Sequence, residues 1–320
     1  MNYRTLADLN CAAARLAARV TPRPDLIVGI PRSGLLAANL VALHLNCPLT
    51  DLEGYLQGRV LSSGGRLSYN RPAPISSRVV LVVDDSLASG NAMRRAREVI
   101  AARVHSDDVR YSAVFISPGK EHMVDYFGER CPLPRVFEWN VMHHSILENA
   151  CVDMDGVLCR DPTDVENDDG ENYRRFLTTA EPLFRPTVPI ACIVTARLEK
   201  YRPETEAWLE THDVRYRQLI MLDLPSAQER RRLGCHAKFK AEVYRKAQHT
   251  LFIESSYTQA QEIARLSRRP VIAIDRNCLV FPPASTFAIE ICKKVGRALG
   301  RRTRVIGQRA RSWLLQWTSY

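Results

Sequence analysis

Apolar positions along the chain alternate between two patterns. Short β-branched runs are each followed by a stretch whose apolar residues recur three and four apart. The runs predict strands at residues 26–29, 79–83 and 113–116, and again at 150–153, 190–194, 219–222, 251–253 and 271–274. The intervening periodic stretches predict helices at 35–45, 92–102, 203–211, 238–247 and 258–267. Unbroken apolar strands separated by helices imply parallel sheets covered on both faces. The expected fold class is therefore α/β, with two doubly wound parallel-sheet domains. The opening MNYRTLADLNCAAARLAARV predicts an amphipathic helix broken at Arg15 and Arg19, without the unbroken apolar stretch of a signal peptide. Residues 55–74, rich in Gly, Ser and Pro, predict a long loop.

Composition agrees with two ordinary cores. The chain has 320 residues, 46% hydrophobic and 25% charged, enough for two domains. It holds no apolar run long enough to span a bilayer. Nine cysteines are scattered without a CxxC pair, which predicts reduced thiols, a cytoplasmic location and no structural zinc. The net charge of +10 is uneven: residues 286–320 carry eight Lys and Arg against the single acid Glu290. The expected division is 1–147, 148–285 and a basic tail, 286–320, with the change of motif near 145–150.

The run VVLVVDDSLASGNAM (79–93) places two acids and a small-residue loop between a strand and a helix. Ligands of α/β sheets sit at such strand ends, and free N–H groups at a helix start suit a phosphate. The two acids stand where they could hold the hydroxyls of a sugar whose phosphate lies in the loop. This order resembles the PRPP-binding motif of type I phosphoribosyltransferases. The resemblance implies that Asp84 and Asp85 hold the ribose hydroxyls while Ser86, Leu87, Ala88, Ser89, Gly90 and Asn91 cradle the 5-phosphate. VGIPRSGLLAA (28–38) resembles the family's pyrophosphate loop, implicating Arg32, Ser33 and Gly34. The loop at 55–74, with Arg59, Arg66 and Arg71, falls where the family has its catalytic lid. One departure bears on substrate: Ala88 stands where the hypoxanthine enzymes carry an acid. Residues 124–140 resemble the base-binding end of purine enzymes, with Asp125, Tyr126 and Trp139 as candidate acceptor contacts.

A second constellation follows. CVDMDGVLC (151–159) ends a strand in two acids at i and i+2, whose side chains point the same way. It resembles the first motif of the haloacid dehalogenase superfamily, in which one acid is the nucleophile and the other the acid/base. The resemblance casts Asp153 as nucleophile, Asp155 as acid/base and Thr195 as a phosphate ligand. Lys238 would neutralise the phosphoryl charge, with Lys240 close enough to compete. It also implies Mg²⁺, held by Asp153, Asp155 and Glu254 together with the Met154 carbonyl. The intervals of 42 residues from Asp153 to Thr195 and 43 on to Lys238 leave little room for a cap domain, so a large phosphorylated substrate is expected.

The order of the two sites suggests sequential chemistry, since the first would make a ribose 5-phosphate and the second could remove its phosphate. Residues 25–285, notably FEWNVMHH (137–144) and LEKYRPETEAWL (198–209), resemble two-module bacterial ribofuranosyltransferases of glycan assembly. That resemblance implies PRPP as donor and a glycan, lipid-linked, as acceptor. The tail, with Trp313 and Trp317 among its basic residues, suits either an anionic membrane surface or packing on the body. The competing readings are a nucleobase phosphoribosyltransferase fused to a 5-nucleotidase and a PRPP-sensing regulator. Nucleic acid is the weaker partner because the basic excess is confined to the tail.

Overall fold

A computed structural model describes residues 1–61 and 78–283. Arg66, Arg71 and the basic tail lie outside the described residues. The chain opens with strand β1 (Asn2–Arg4) and helix α1 (Leu6–Ala17), where the sequence predicts one helix. Thr5 prevents the helix from running further back. Its hydroxyl accepts the Asp8 N–H at 3.1 Å while the Asp8 carboxylate accepts the Thr5 N–H at 2.9 Å, a capping box. Arg15 does not break α1 but pairs from its last turn with Glu129. Arg19, beyond its end, donates to the carbonyls of Phe127 and Gly128.

The first half continues through β2 (Leu26–Gly29), α2 (Ser33–Leu45), β3 (Leu49–Asp51), α3 (Leu52–Leu56) and β4 (Val79–Leu87). Then come α4 (Asn91–Ala101), β5 (Asp108–Ile116), β6 (Tyr126–Arg130) and β7 (Arg135–Phe137). Among the described residues the main sheet has the order β3-β2-β4-β5-β6, and every pair is parallel. Ile27, Leu81 and Val83 pack with α1 and α2, whereas Leu26, Val28, Val80 and Val82 pack with α4. Alternate residues thus enter opposite cores, and for that reason these strands read as continuous apolar runs. β1 pairs in parallel with β7, setting Tyr3 opposite Val136.

Two 3-10 turns, Glu138–His143 and Ser145–Asn149, lead into β8 (Ala150–Val152). The second half then runs α5 (Glu171–Thr179), β9 (Ile190–Leu198), α6 (Arg202–Thr211), β10 (Tyr216–Leu222), α7 (Ala227–Leu233) and α8 (His236–Lys246). It closes with β11 (Leu251–Glu254), α9 (Tyr257–Ser267), β12 (Val271–Ala273) and β13 (Cys278–Val280). The order is β10-β9-β8-β11-β12-β13, parallel except for β12 and β13. Tyr173, Phe176, Leu177, Trp208 and Leu209 cover one face, and Ala241, Tyr244, Ala260, Ile263 and Ala264 cover the other. The buried Trp208 indole donates to the Ala180 carbonyl at 2.7 Å. Val136, Val141, Met142 and Leu147 pack into this second core together with Tyr3, whose hydroxyl reaches Asn277 Oδ1 at 2.5 Å.

Among the described residues the cysteines are free thiols, and no helix is long and apolar enough to cross a membrane. Replacing the half-buried cap, Thr5→Ala, is expected to cost about 1 kcal/mol by leaving a helix N–H group unpaired. The change would be read as a lower midpoint in urea unfolding with an unaltered slope.

Candidate active sites

In an open parallel sheet, the strand order reverses at one place, and the strand ends there leave a crevice. In the first sheet that place lies between β2 and β4, and in the second between β8 and β11. The candidate residues of both halves sit at the carboxyl ends of those strands. Arg32, Ser33 and Gly34 follow β2, and Asp84 through Asn91 span the end of β4 and the start of α4. Asp153 and Asp155 follow β8, and Glu254 ends β11.

At the first crevice the two loops are joined through Asp85. Ser33 Oγ donates to one of its carboxylate oxygens and Trp139 Nε1 to the other, each at 3.0 Å. Asp84 Oδ1 accepts the Asp85 N–H at 2.9 Å. Gly34 is pressed against this pair: a Cβ there would lie 2.8 Å from Asp84 Oδ1 and 3.2 Å from the Val83 carbonyl oxygen. Both acids are buried. Burial first, and the neighbouring Asp85 second, push the Asp84 carboxyl up to about 8. Asp84 and Ser86 through Met93 line a cavity of about 130 Å³. Gly90 caps α4 with φ 81°, a left-handed conformation that favours glycine in this turn. The resulting hollow of small side chains and open N–H groups suits a phosphate.

At the second crevice Lys240 is central. Its ammonium, 3% exposed, lies 2.6 Å from Asp153 Oδ2 and 2.9 Å from Glu254 Oε2. Burial opposes its charge, but the two carboxylates outweigh burial and raise its pKa. Asp153 also shifts upward, through burial first and Glu254 second, with Lys240 opposing. Asp155 is gripped by Arg197, whose Nε lies 3.1 Å from each carboxylate oxygen and whose second nitrogen approaches Oδ1 at 2.6 Å. Asp153, Asp155, Asp161, Thr195 and Lys240 line one pocket of about 190 Å³.

The sequence of residues 5–144 matches the phosphoribosyl transferase domain family. Residues 5–144 form a phosphoribosyltransferase domain. Solved structures similar to the chain include the xanthine-guanine-hypoxanthine phosphoribosyltransferase of Helicobacter pylori, at 15% identity and TM-score 0.32, covering 44% of this chain and 92% of that one. The purine phosphoribosyltransferase of Pyrococcus horikoshii has 19% identity and TM-score 0.32, covering 43% and 92%. The orotate phosphoribosyltransferase of Aeropyrum pernix has 17% identity and TM-score 0.28, covering 39% and 70%. No curated protein matches the sequence of the chain.

Within the phosphoribosyltransferase domain, the suggested acceptor residues separate. Trp139 reaches Asp85, stacking at 4.7 Å on Phe137. Asp125 instead accepts the Tyr111 N–H at 2.7 Å, and Tyr126 donates to the Thr21 carbonyl, so both serve the scaffold. The predicted loop 55–74 begins inside α3, and Arg59 lies 3.7 Å from Asp51.

Beyond the phosphoribosyltransferase domain, one expectation needs correction. Lys238 is exposed on α8, and Lys240 is the lysine in the crevice, because positions two apart on a helix face different ways. The expected magnesium ligands Asp153, Asp155 and Glu254 are each engaged by protein groups. Lys240 stands between Asp153 and Glu254, Arg197 holds Asp155, and Glu254 Oε1 accepts the Ser255 and Ser256 N–H groups. Among the described residues no group of three His, Cys, Asp or Glu side chains could hold a metal. Arg197 is a further charged residue of this crevice, and its signal in the sequence is its place two residues after Thr195 on the same strand.

Two experiments follow from these charges. In the ligand-free fold Asp84 keeps a proton that the unfolded chain releases near pH 4, so its contribution to stability falls between about pH 4 and 8. Asp84→Asn should raise the thermal midpoint at pH 7.5 and flatten that slope; an unchanged slope would refute the shift. Lys240→Met should destabilise the fold by roughly 3–5 kcal/mol by stranding two buried carboxylates. Lys238→Met should stay within about 0.5 kcal/mol of the parent in denaturant unfolding.

Proposed function

We propose that the chain transfers a 5-phosphoribosyl group from PRPP to a sugar hydroxyl of a glycan and then removes the 5-phosphate. The observation that carries this reading is the pairing, on one chain, of the phosphate-sized hollow beside Asp84 and Asp85 with the Asp153–Lys240 pocket. The first could make the ester that the second could hydrolyse.

In the transfer step the ribose hydroxyls lie against Asp84 and Asp85, the 5-phosphate in the turn of Ser86 to Asn91, and the pyrophosphate near Arg32. The acceptor oxygen bonds to C1 of the ribose as the C1–O bond to pyrophosphate breaks, and the hydroxyl proton leaves with the pyrophosphate. Ser33 ties the pyrophosphate loop to Asp85 at 3.0 Å, so one contact keeps both ends of the donor in register. Magnesium comes with the donor, since it readily binds phosphate oxygens with few protein ligands.

In the second step an Asp153 oxygen attacks phosphorus, and the ribose oxygen departs with a proton from Asp155. Water then cleaves the acyl phosphate. This is the haloacid dehalogenase-type reading, supported by the positions of Asp153, Asp155, Thr195 and Lys240 around one pocket. Arg197 fixes the orientation of Asp155. Asp155 would give that proton to the departing oxygen and take one from the attacking water.

The glycan acceptor is favoured by the small covering of the second pocket. Between β8 and β9 the one α-helix is α5, whose Tyr173, Phe176 and Leu177 are buried in the core. Such a site can admit a phosphate borne on a large molecule. A lipid-linked glycan would also suit the basic, Trp-bearing tail.

The test is mass analysis after incubation with PRPP and Mg²⁺, using separate panels of glycans and free nucleobases. A glycan should gain pentose with the parent protein and phosphopentose with Asp153→Asn. Nucleosides from the parent and nucleotides from the variant would move the chain to base salvage. No product from either panel would remove the transfer reading.

A further inference from the structure

The second pocket presents an imbalance of charge. Asp153, Asp155 and Asp161 line it, and a phosphate ester entering it brings further negative charge. Lys240 is committed to Asp153 and Glu254. Arg197 is fully buried and committed to Asp155. His236 also lines the pocket, but burial, Arg230 and Lys240 lower its pKa and so disfavour its charged form.

Arg230 is different. It lies on α7, lines the same pocket and is 7% exposed. Among the described residues it makes no ion pair with a carboxylate. One terminal nitrogen donates to the Ala196 carbonyl at 3.0 Å and the other to Asn167 Oδ1 at 3.2 Å. These bonds hold the guanidinium beside the residue that follows Thr195. Its Nε is buried without a hydrogen-bond partner. A buried guanidinium with neutral partners and a spare donor keeps its charge available to an anion. An unsatisfied buried donor is costly, and a ligand oxygen would relieve that cost.

We infer that Arg230 is a substrate-binding residue of the second pocket, receiving the phosphoryl oxygens of a phosphate monoester. It supplies the positive charge that Lys240 and Arg197 have already spent on carboxylates. The inference rests on the phosphatase reading of this pocket for its substrate, but the anion-binding role can be measured without turnover.

Full-length protein and the variants Arg230→Gln, Arg230→Lys and Arg232→Gln would be titrated calorimetrically with inorganic phosphate. The same proteins would be assayed on ribose 5-phosphate. Arg230→Gln should weaken phosphate binding and raise KM at least tenfold, with a smaller change in kcat. Arg230→Lys, which keeps the charge, should recover part of the loss. Arg232 is exposed and paired with Glu229, so Arg232→Gln should match the parent. Thermal unfolding of each variant separates binding from folding. Unchanged phosphate affinity in Arg230→Gln, or no phosphate binding by the parent, would overturn the assignment. Equal losses in Arg230→Gln and Arg230→Lys, each with early unfolding, would also overturn it by making Arg230 a scaffold. Phosphate binding that depends on Arg230, without hydrolysis of the ester, would support the anion site while removing the phosphatase reading.

Discussion

A parallel sheet covered on both faces leaves charged side chains almost no place except at the ends of its strands. Both crevices of this protein depend on that constraint. In each half, alternate strand residues enter one core or the other, so the buried acids come at or towards the carboxyl ends of the strands. Val79–Leu87 makes the change within one strand: Val80 through Val83 are buried apolar residues, and Asp84 and Asp85 follow immediately. Cys151 and Val152 before Asp153 repeat the device.

Having reached the crevice, each half manages buried negative charge differently. The first half places two acids side by side and leaves Asp84 protonated near neutrality, while Ser33 and Trp139 satisfy Asp85 with neutral donors. The second half brings cations into the protein to meet its acids. Lys240 lies between Asp153 and Glu254, and Arg197 clamps Asp155. Such groups are costly to desolvate and costly to break. They give rigid placement in return, which a reaction at a chosen oxygen requires.

The halves also share structure at their junction. β1 lies against β7, and Tyr3 enters the second core and bonds to Asn277. Trp139 contacts Asp85 and is followed by Val141 and Met142, which pack in the second core. The residues leading from one site to the other therefore belong in part to both.

By itself the sequence determined the α/β class, the central strands and the position of the acids at their ends. It could do so because those strands are uniformly apolar and their boundaries are abrupt changes of polarity. Short or polar elements escaped it: β1, β6 and β7 owe their existence to pairing partners distant in the chain, and α5 buries only Tyr173, Phe176 and Leu177 among charged residues. Tertiary structure alone decided that Lys240 rather than Lys238 reaches Asp153, since that depends on how α8 is rotated against the sheet. It likewise set Trp139 on Asp85 and, among the described residues, left Arg230 without a carboxylate. Contacts of this kind join residues that no local pattern relates, and only the packing of the elements brings them within hydrogen-bond reach.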